Sequence, residues 1–332
     1  MYKKVFSLLT LLSLAIQANA AIINVAPGTG LQAAINNGTT GDILQLSDGL
    51  YTGNINFSGK AVTVKGTGKK SIIKGDGNQA TVIFNSGEKS TTLLDQVTVT
   101  GGVRGGGILI ENSSPRITRC WITSNKSIGA GSGVYVFGED RNGNSASFFN
   151  NVIARNITRS VFSDNLANAV HIENSSPTFV NNTIVNNDRA GVYITGDSTP
   201  RLTNNIIAYN GFIKSELRNN KRGYGVQIED RGSTEPMTLD YNLFFKNKLG
   251  DFNNEGAVSK LISAVNGAEF IAGTSFNANP KFKKIKLIAD LSLGNGSAAI
   301  NAGNPSAIYN DIDNSRNDIG ATGGLFPNPD LQ

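Results

Sequence analysis

Between residues 107 and 250 the chain alternates short apolar runs with polar corners, and the runs repeat. Gly107-Ile-Leu-Ile-Glu-Asn-Ser-Ser-Pro115 returns as Ala169-Val-His-Ile-Glu-Asn-Ser-Ser-Pro177 and as Gly191-Val-Tyr-Ile-Thr-Gly-Asp-Ser-Thr-Pro200. Looser copies stand at Gly133-Val-Tyr-Val and Gly225-Val-Gln-Ile. Behind most of them comes a second unit: Cys120-Trp-Ile-Thr-Ser-Asn125, Asn151-Val-Ile-Ala-Arg-Asn156, Asn182-Thr-Ile-Val-Asn-Asn187, Asn205-Ile-Ile-Ala-Tyr-Asn210 and Asn242-Leu-Phe-Phe-Lys-Asn247. Alternation with a period of two predicts short strands with one buried face, and the polar corners predict tight turns between them.

The cleanest spacing is 22 residues, from Ala169 to Gly191. A period of that length, built from strands and turns, predicts an all-β fold: a single-stranded right-handed parallel β-helix, in which successive coils stack at roughly 4.8 Å and their inward valines and isoleucines form one continuous core. A leucine-rich repeat has a comparable period but needs leucines at fixed offsets and a helical half-repeat. The corner residues Asn125, Asn156, Asn187, Asn210 and Asn247 are read as structural, because a stacked amide can donate to one neighbouring coil and accept from the other. Longer spacings, 36 residues from Gly133 to Ala169 and 34 from Gly191 to Gly225, mark insertions that must leave the barrel as loops. Within the first of them, Ser160-Val-Phe-Ser-Asp-Asn165 competes with Asn151 to Asn156 for one strand position.

Composition agrees with many strands and turns: 38 glycines and only 17% charged residues. The single Cys120 cannot form an internal disulfide, so packing and backbone hydrogen bonds must hold the coils. The basic start at Lys3 and Lys4, the apolar run from Val5 to Ile16 and Ala18-Asn-Ala20 predict a signal peptide over 1–20, cleaved near Ala20. The expected location is therefore secreted, periplasmic or at the cell surface, as a monomer with no transmembrane segment. Removing that segment lowers the formal net charge from +5 to +3. With so small an excess and no stacking motif for single strands, no nucleic-acid partner is expected. The β-helix is expected over 21–250, opened by a short helix from Leu31 to Asn36 that caps the core, and followed by closing coils and a C-terminal cap segment over 251–332.

These features, from Pro27-Gly-Thr-Gly-Leu-Gln-Ala-Ala-Ile through the repeats to Gly296-Ser-Ala-Ala-Ile-Asn-Ala-Gly303 and Arg316-Asn-Asp-Ile-Gly320, resemble secreted β-helix proteins of the pectate lyase-like superfamily. The resemblance implies the fold across nearly the whole chain. It also implies carbohydrate chemistry, most often on an acidic polysaccharide and often with calcium. It does not single out a reaction, since that fold carries several. The polygalacturonase and epimerase signatures are absent, and Trp121-Ile-Thr-Ser lacks both chemical residues of the pectate lyase string Trp-Ile-Asp-His.

On the Gly-Val-x-Ile-x strands the residues flanking the isoleucine point outward. Stacking predicts two outward columns: Leu109, Tyr135, His171, Tyr193 and Gln227, then Glu111, Phe137, Glu173, Thr195 and Glu229. The superfamily resemblance places substrate along such a face. A lyase removes a proton beside a uronate carboxylate, neutralises that carboxylate and protonates the leaving oxygen. His171 and Tyr193 are the candidate base and acid, and Arg189 the candidate carboxylate partner. Tyr135, Glu173, Gln227 and Glu229 are candidate substrate contacts, joined by Lys214, Arg218 and Arg222 of a basic insertion suited to a polyanionic sugar. The carboxylates Glu111, Glu173, Glu229 and Asp197 are hard oxygen ligands that suit calcium, whereas Asp311, Asp313 and Asp318 are read as organisers of turns. The favoured expectation is β-elimination on an acidic polysaccharide; the alternative is a non-catalytic glycan-binding or cell-surface protein using the same face.

Overall fold

The computed structural model describes residues 20–332 except 128, 130, 140–143, 159–167, 213–222, 233, 234, 236, 256, 260, 261, 263–270, 273 and 287–289. The expected signal peptide therefore lies outside the described residues, save Ala20. Each coil crosses three sheets in turn. Val170–Glu173 lies in the first, Thr178–Val180 in the second and Thr183–Val185 in the third, before the next coil begins with Val192–Thr195. Among the described residues the second sheet holds ten strands and the other two hold nine each. Pairing within these sheets is parallel from coil to coil, and only Ala257–Ser259 runs antiparallel, at the end of the first sheet. The architecture is a right-handed parallel β-helix, as the 22-residue period predicts.

Valine and isoleucine at alternate strand positions fill the core. Val170, Ile172, Val192 and Ile194 are fully buried and stack in register. Phe148 and Phe179 lie parallel at a centroid distance of 4.4 Å, because equivalent positions on neighbouring coils superpose. The slot that opens each first-sheet strand is small for a related reason: an added Cβ at Gly191 would fall 2.8 Å from the carbonyl oxygen of Gly225 in the next coil.

The corners carry two asparagine ladders. Ahead of the third sheet, Asn150, Asn181 and Asn204 adopt left-handed backbone (φ 56°, 56° and 57°) and turn the chain sharply. The next residue then faces inward. Oδ1 of Asn182 accepts both the backbone N–H and Nδ2 of Asn151, while its own Nδ2 donates to the Phe148 carbonyl at 2.9 Å and to Oδ1 of Asn205 at 3.0 Å. The corner after the third sheet repeats the pattern through Asn125, Asn156, Asn187, Asn210 and Asn247. The amides are thus structural, as read from the sequence, and the second ladder through Asn151, Asn182, Asn205 and Asn242 is structural as well. Cys120 takes the ladder position in an early coil, its N–H donating to Oδ1 of Asn151. Val152–Ala154 fills the disputed third-sheet position, and 160–165 fall outside the described residues.

A helix, Leu31–Asn37, covers the starting end of the barrel with Leu31 and Ile35. Gln32 fastens it to the edge strand Ile55–Asn56 by accepting the Asn56 N–H and donating to the Asn56 carbonyl, which shields an otherwise open sheet end. Parallel strands continue to Phe276–Asn277. The chain then returns along the outside of the third sheet, where Leu291, Ala299, Ile319, Ala321 and Leu331 pack on Val152, Val185, Ile206 and Leu243. Hydrogen bonds over long sequence separations fix this strap: Gly320 N–H to the Asn204 carbonyl, Ala321 N–H to Oγ1 of Thr183, and Trp121 Nε1 to Oδ1 of Asn328. No helix among the described residues is long and apolar enough to cross a membrane.

Candidate functional site

The two columns expected on the outside of the first sheet exist in register. Leu109 pairs with Tyr135, Tyr135 with His171, His171 with Tyr193 and Tyr193 with Gln227. Glu111, Phe137, Glu173 and Thr195 pair likewise in the second column. The rings of the first column touch: Tyr135 and His171 have centroids 5.0 Å apart, and His171 meets Tyr193 edge-on at 4.8 Å.

Exposure differs from the expectation. Pointing away from the barrel core does not open the first column to water beyond Tyr135, since His171 and Tyr193 are each 3% exposed and Gln227 is 2% exposed. Arg189, on the approach to Val192–Thr195, is buried too. The connections leading into these strands are packed in with them: Ser132, Asn168, Asp188 and Ala190 are buried. The second column stays half-exposed from Glu111 to Glu229.

Burial sets the chemistry of the first column. Neither nitrogen of His171 has a hydrogen-bond partner, and Nε2 stands 3.9 Å from Oε2 of Glu173, beyond hydrogen-bond reach. Desolvation pushes the imidazole down to about 3, so it is neutral at any ordinary pH. The Tyr135 hydroxyl donates to Oε2 of Glu173 at 2.7 Å; its burial and the carboxylate it serves both raise it above the usual phenol range. Tyr193 repeats the arrangement, donating to Oε2 of Glu229 at 3.0 Å, while Nε2 of Gln227 donates to Oε1 at 2.6 Å. Strand alternation places these residues on one face, but it does not determine that each phenol is committed to a carboxylate of the other column.

The basic candidates Lys214, Arg218 and Arg222 lie outside the described residues. Among the described residues no three histidine, cysteine or acidic side chains converge as a metal site. Asp311 does organise turns, accepting the N–H groups of Asp318 and Gly324, while Asp318 accepts that of Asn301. Burial, with Asp318 and Asp313 nearby, pushes the Asp311 carboxyl up to about 6. A groove of about 390 Å³ between the outer face of the second sheet and the strap, bordered by Arg116, Phe149, Tyr309 and Phe326, had no distinguishing signal in the sequence. It forms between segments far apart in the chain.

The profile of the right-handed β-helix region matches residues 55–279. No curated protein matches the sequence. Among solved structures, pectate lyase Pel9A superposes with a TM-score of 0.54 at 16% identity, over 91% of this chain and 96% of its own. A mannuronic-acid-specific polysaccharide family 6 lyase from human gut microbiota is 14% identical over 70% of this chain and 66% of that one, with a TM-score of 0.32, too loose to bear on the fold. By the profile match, and with the pectate lyase-like architecture seen in its coils, the chain belongs to the right-handed β-helix family.

Proposed function

We propose that the protein binds a polysaccharide along the outside of the first sheet and does not cleave it by β-elimination. The observation that carries this reading is the half-exposed second column, in which Glu173 and Glu229 are held in place by Tyr135, Tyr193 and Gln227. Fixed acceptors repeated along the barrel axis suit a polymer that presents hydroxyl donors at regular intervals, and holding them in advance reduces the ordering cost of binding. The elimination reading asks His171 to take a proton and Tyr193 to give one. A buried imidazole held near 3 is a weak base, and a base works best when poised near the working pH. The Tyr193 hydroxyl already donates to Glu229.

The test is native electrophoresis through gels cast with pectate, alginate, a glycosaminoglycan, xylan or a glucan, run beside solution assays of the same polymers with and without calcium. Retardation in at least one gel, with no rise in the ultraviolet absorbance of an unsaturated product, is expected. The double variant Tyr135→Phe, Glu173→Gln should run unretarded. Product absorbance in any assay would instead establish a lyase, and unretarded migration of the wild type in every gel would remove the binding reading.

A further inference from the structure

The groove between the second sheet and the strap is built on a diagonal. Arg116, Ser147 and Thr178 align on three successive coils, as do Thr118, Phe149 and Val180, and Asn181 follows Val180 at the corner. Arg116, Phe149 and Asn181 all line the groove, so they step across it with the ring in the middle. Two inter-strand steps and three residues along a strand give this diagonal a Cα span of roughly 14 Å.

Both ends of the diagonal have polar groups left to satisfy. Arg116 is exposed, with its guanidinium 5.9 Å from the Phe149 ring centroid and no acidic partner among the described residues. The nearby Asp95 carboxylate is held by Arg119 and Thr118, so it neutralises Arg119 and not Arg116. At the other end Asn181 is 2% exposed, and its Oδ1 accepts no hydrogen bond, a rare condition for a buried polar atom. An amide carries donors and an acceptor, and a hydroxyl can answer either. Between the two ends the lining is apolar. Phe149 and Val180 come from the sheet, and the strap adds Leu325, Phe326 and Ile308, which are 48%, 69% and 75% exposed. Large apolar side chains gathered around one concavity, with a few polar groups converging on it, are the signature of a ligand site.

We infer that the groove binds a phenolic carboxylate, with the anion at Arg116, the ring against Phe149 and the hydroxyl at the Asn181 amide. Charge complementarity decides the first end, since a guanidinium with no acid beside it is matched by a carboxylate. The unsatisfied amide decides the other. A fatty acid offers Arg116 the same anion but gives Asn181 nothing, and a neutral phenol does the reverse. The groove lies on a different sheet from the proposed glycan face, so the inference goes beyond that reading and does not rest on it.

Calorimetric titration of the full chain with four probes tests it: para-hydroxycinnamate, cinnamate without the hydroxyl, para-hydroxycinnamamide without the charge, and octanoate as an acyl anion of similar size. The first should bind tightest. Loss of the charge should cost about tenfold and loss of the hydroxyl roughly fivefold. In Arg116→Gln, a substitution at an exposed position, the acid and the amide should bind alike while the hydroxyl still contributes. Equal binding of acid and amide by the wild type, equal binding of para-hydroxycinnamate and cinnamate, or tighter binding of octanoate would each overturn the inference. So would a loss in Arg116→Gln that is the same for acid and amide, because the ligand would then sit elsewhere. Absence of saturable binding by a chain that melts normally would overturn it as well, and would leave glycan binding at the first sheet untouched.

Discussion

His171 is clamped between two tyrosines, with the Tyr193 ring meeting it edge-on at 90° and 4.8 Å. The residue that looks most like a catalyst in the sequence is therefore packed within an aromatic stack, and burial ties its titration to folding. Four consequences of the structure can be measured.

Because burial holds the folded imidazole at about 3 against an ordinary value of 6.5, the folded state favours neutral His171. Its stability is complete above pH 6.5 and falls as pH drops from there toward 3, where the unfolded chain takes up a proton that the folded one refuses. The loss at the acid end is at most about 5 kcal/mol from this group. Phenylalanine keeps the ring and removes the proton site. Urea unfolding of His171→Phe between pH 4 and 8 should show a flatter acid limb than the wild type and no loss at pH 8; parallel curves would contradict the assignment.

Asn187 sits in the middle of a ladder, donating through Nδ2 to the Ile153 carbonyl and to Oδ1 of Asn210, and accepting from Asn156. Alanine there leaves partners unsatisfied in the core, at about 1–3 kcal/mol for each buried group. Asn247 ends the ladder and is 8% exposed, so water can replace part of what Asn247→Ala removes. Equilibrium unfolding should rank Asn187→Ala as clearly the more destabilised of the two.

Cys120 is fully buried, and desolvation raises its thiol well above the usual range. The thiolate is the reactive form. A disulfide reagent should leave Cys120 unmodified in the native protein and modify it stoichiometrically in denaturant, and native labelling at the rate of a free thiol would be incompatible with this packing.

The strap shields the one tryptophan. Trp121 is 2% exposed, bonded to Asn328, and has the Lys69 ammonium 3.7 Å from its ring centroid. Removing residues 327–332 deletes Asn328 and the buried Leu331. Fluorescence of the shortened chain should shift to the red and become accessible to acrylamide, whereas an unchanged spectrum would mean that the strap does not seal this part of the third sheet.

The sequence by itself determined the coil, the direction of the side chains and the purpose of the asparagines. Each follows from a pattern a few residues long: alternation decides which side of a strand a residue takes, and a left-handed corner residue followed by asparagine recurs at the corners flanking the third sheet, as at Asn150, Asn181 and Asn204 and at Arg155, Asn186 and Tyr209. Stacking then copies one coil onto the next, so that a 22-residue spacing was enough to pair His171 with Tyr193. Whether an outward residue meets water was left to the tertiary structure. His171, Tyr193 and Gln227 point away from the core yet are closed over, while Glu111, Glu173 and Glu229 one step along the same strands remain half-open. The path of the strap was likewise decided by contacts such as Ala321 with Thr183, 138 residues apart. Direction relative to the barrel is a local property of a strand; burial depends on which distant segments pack over it, and no repeat carries that information.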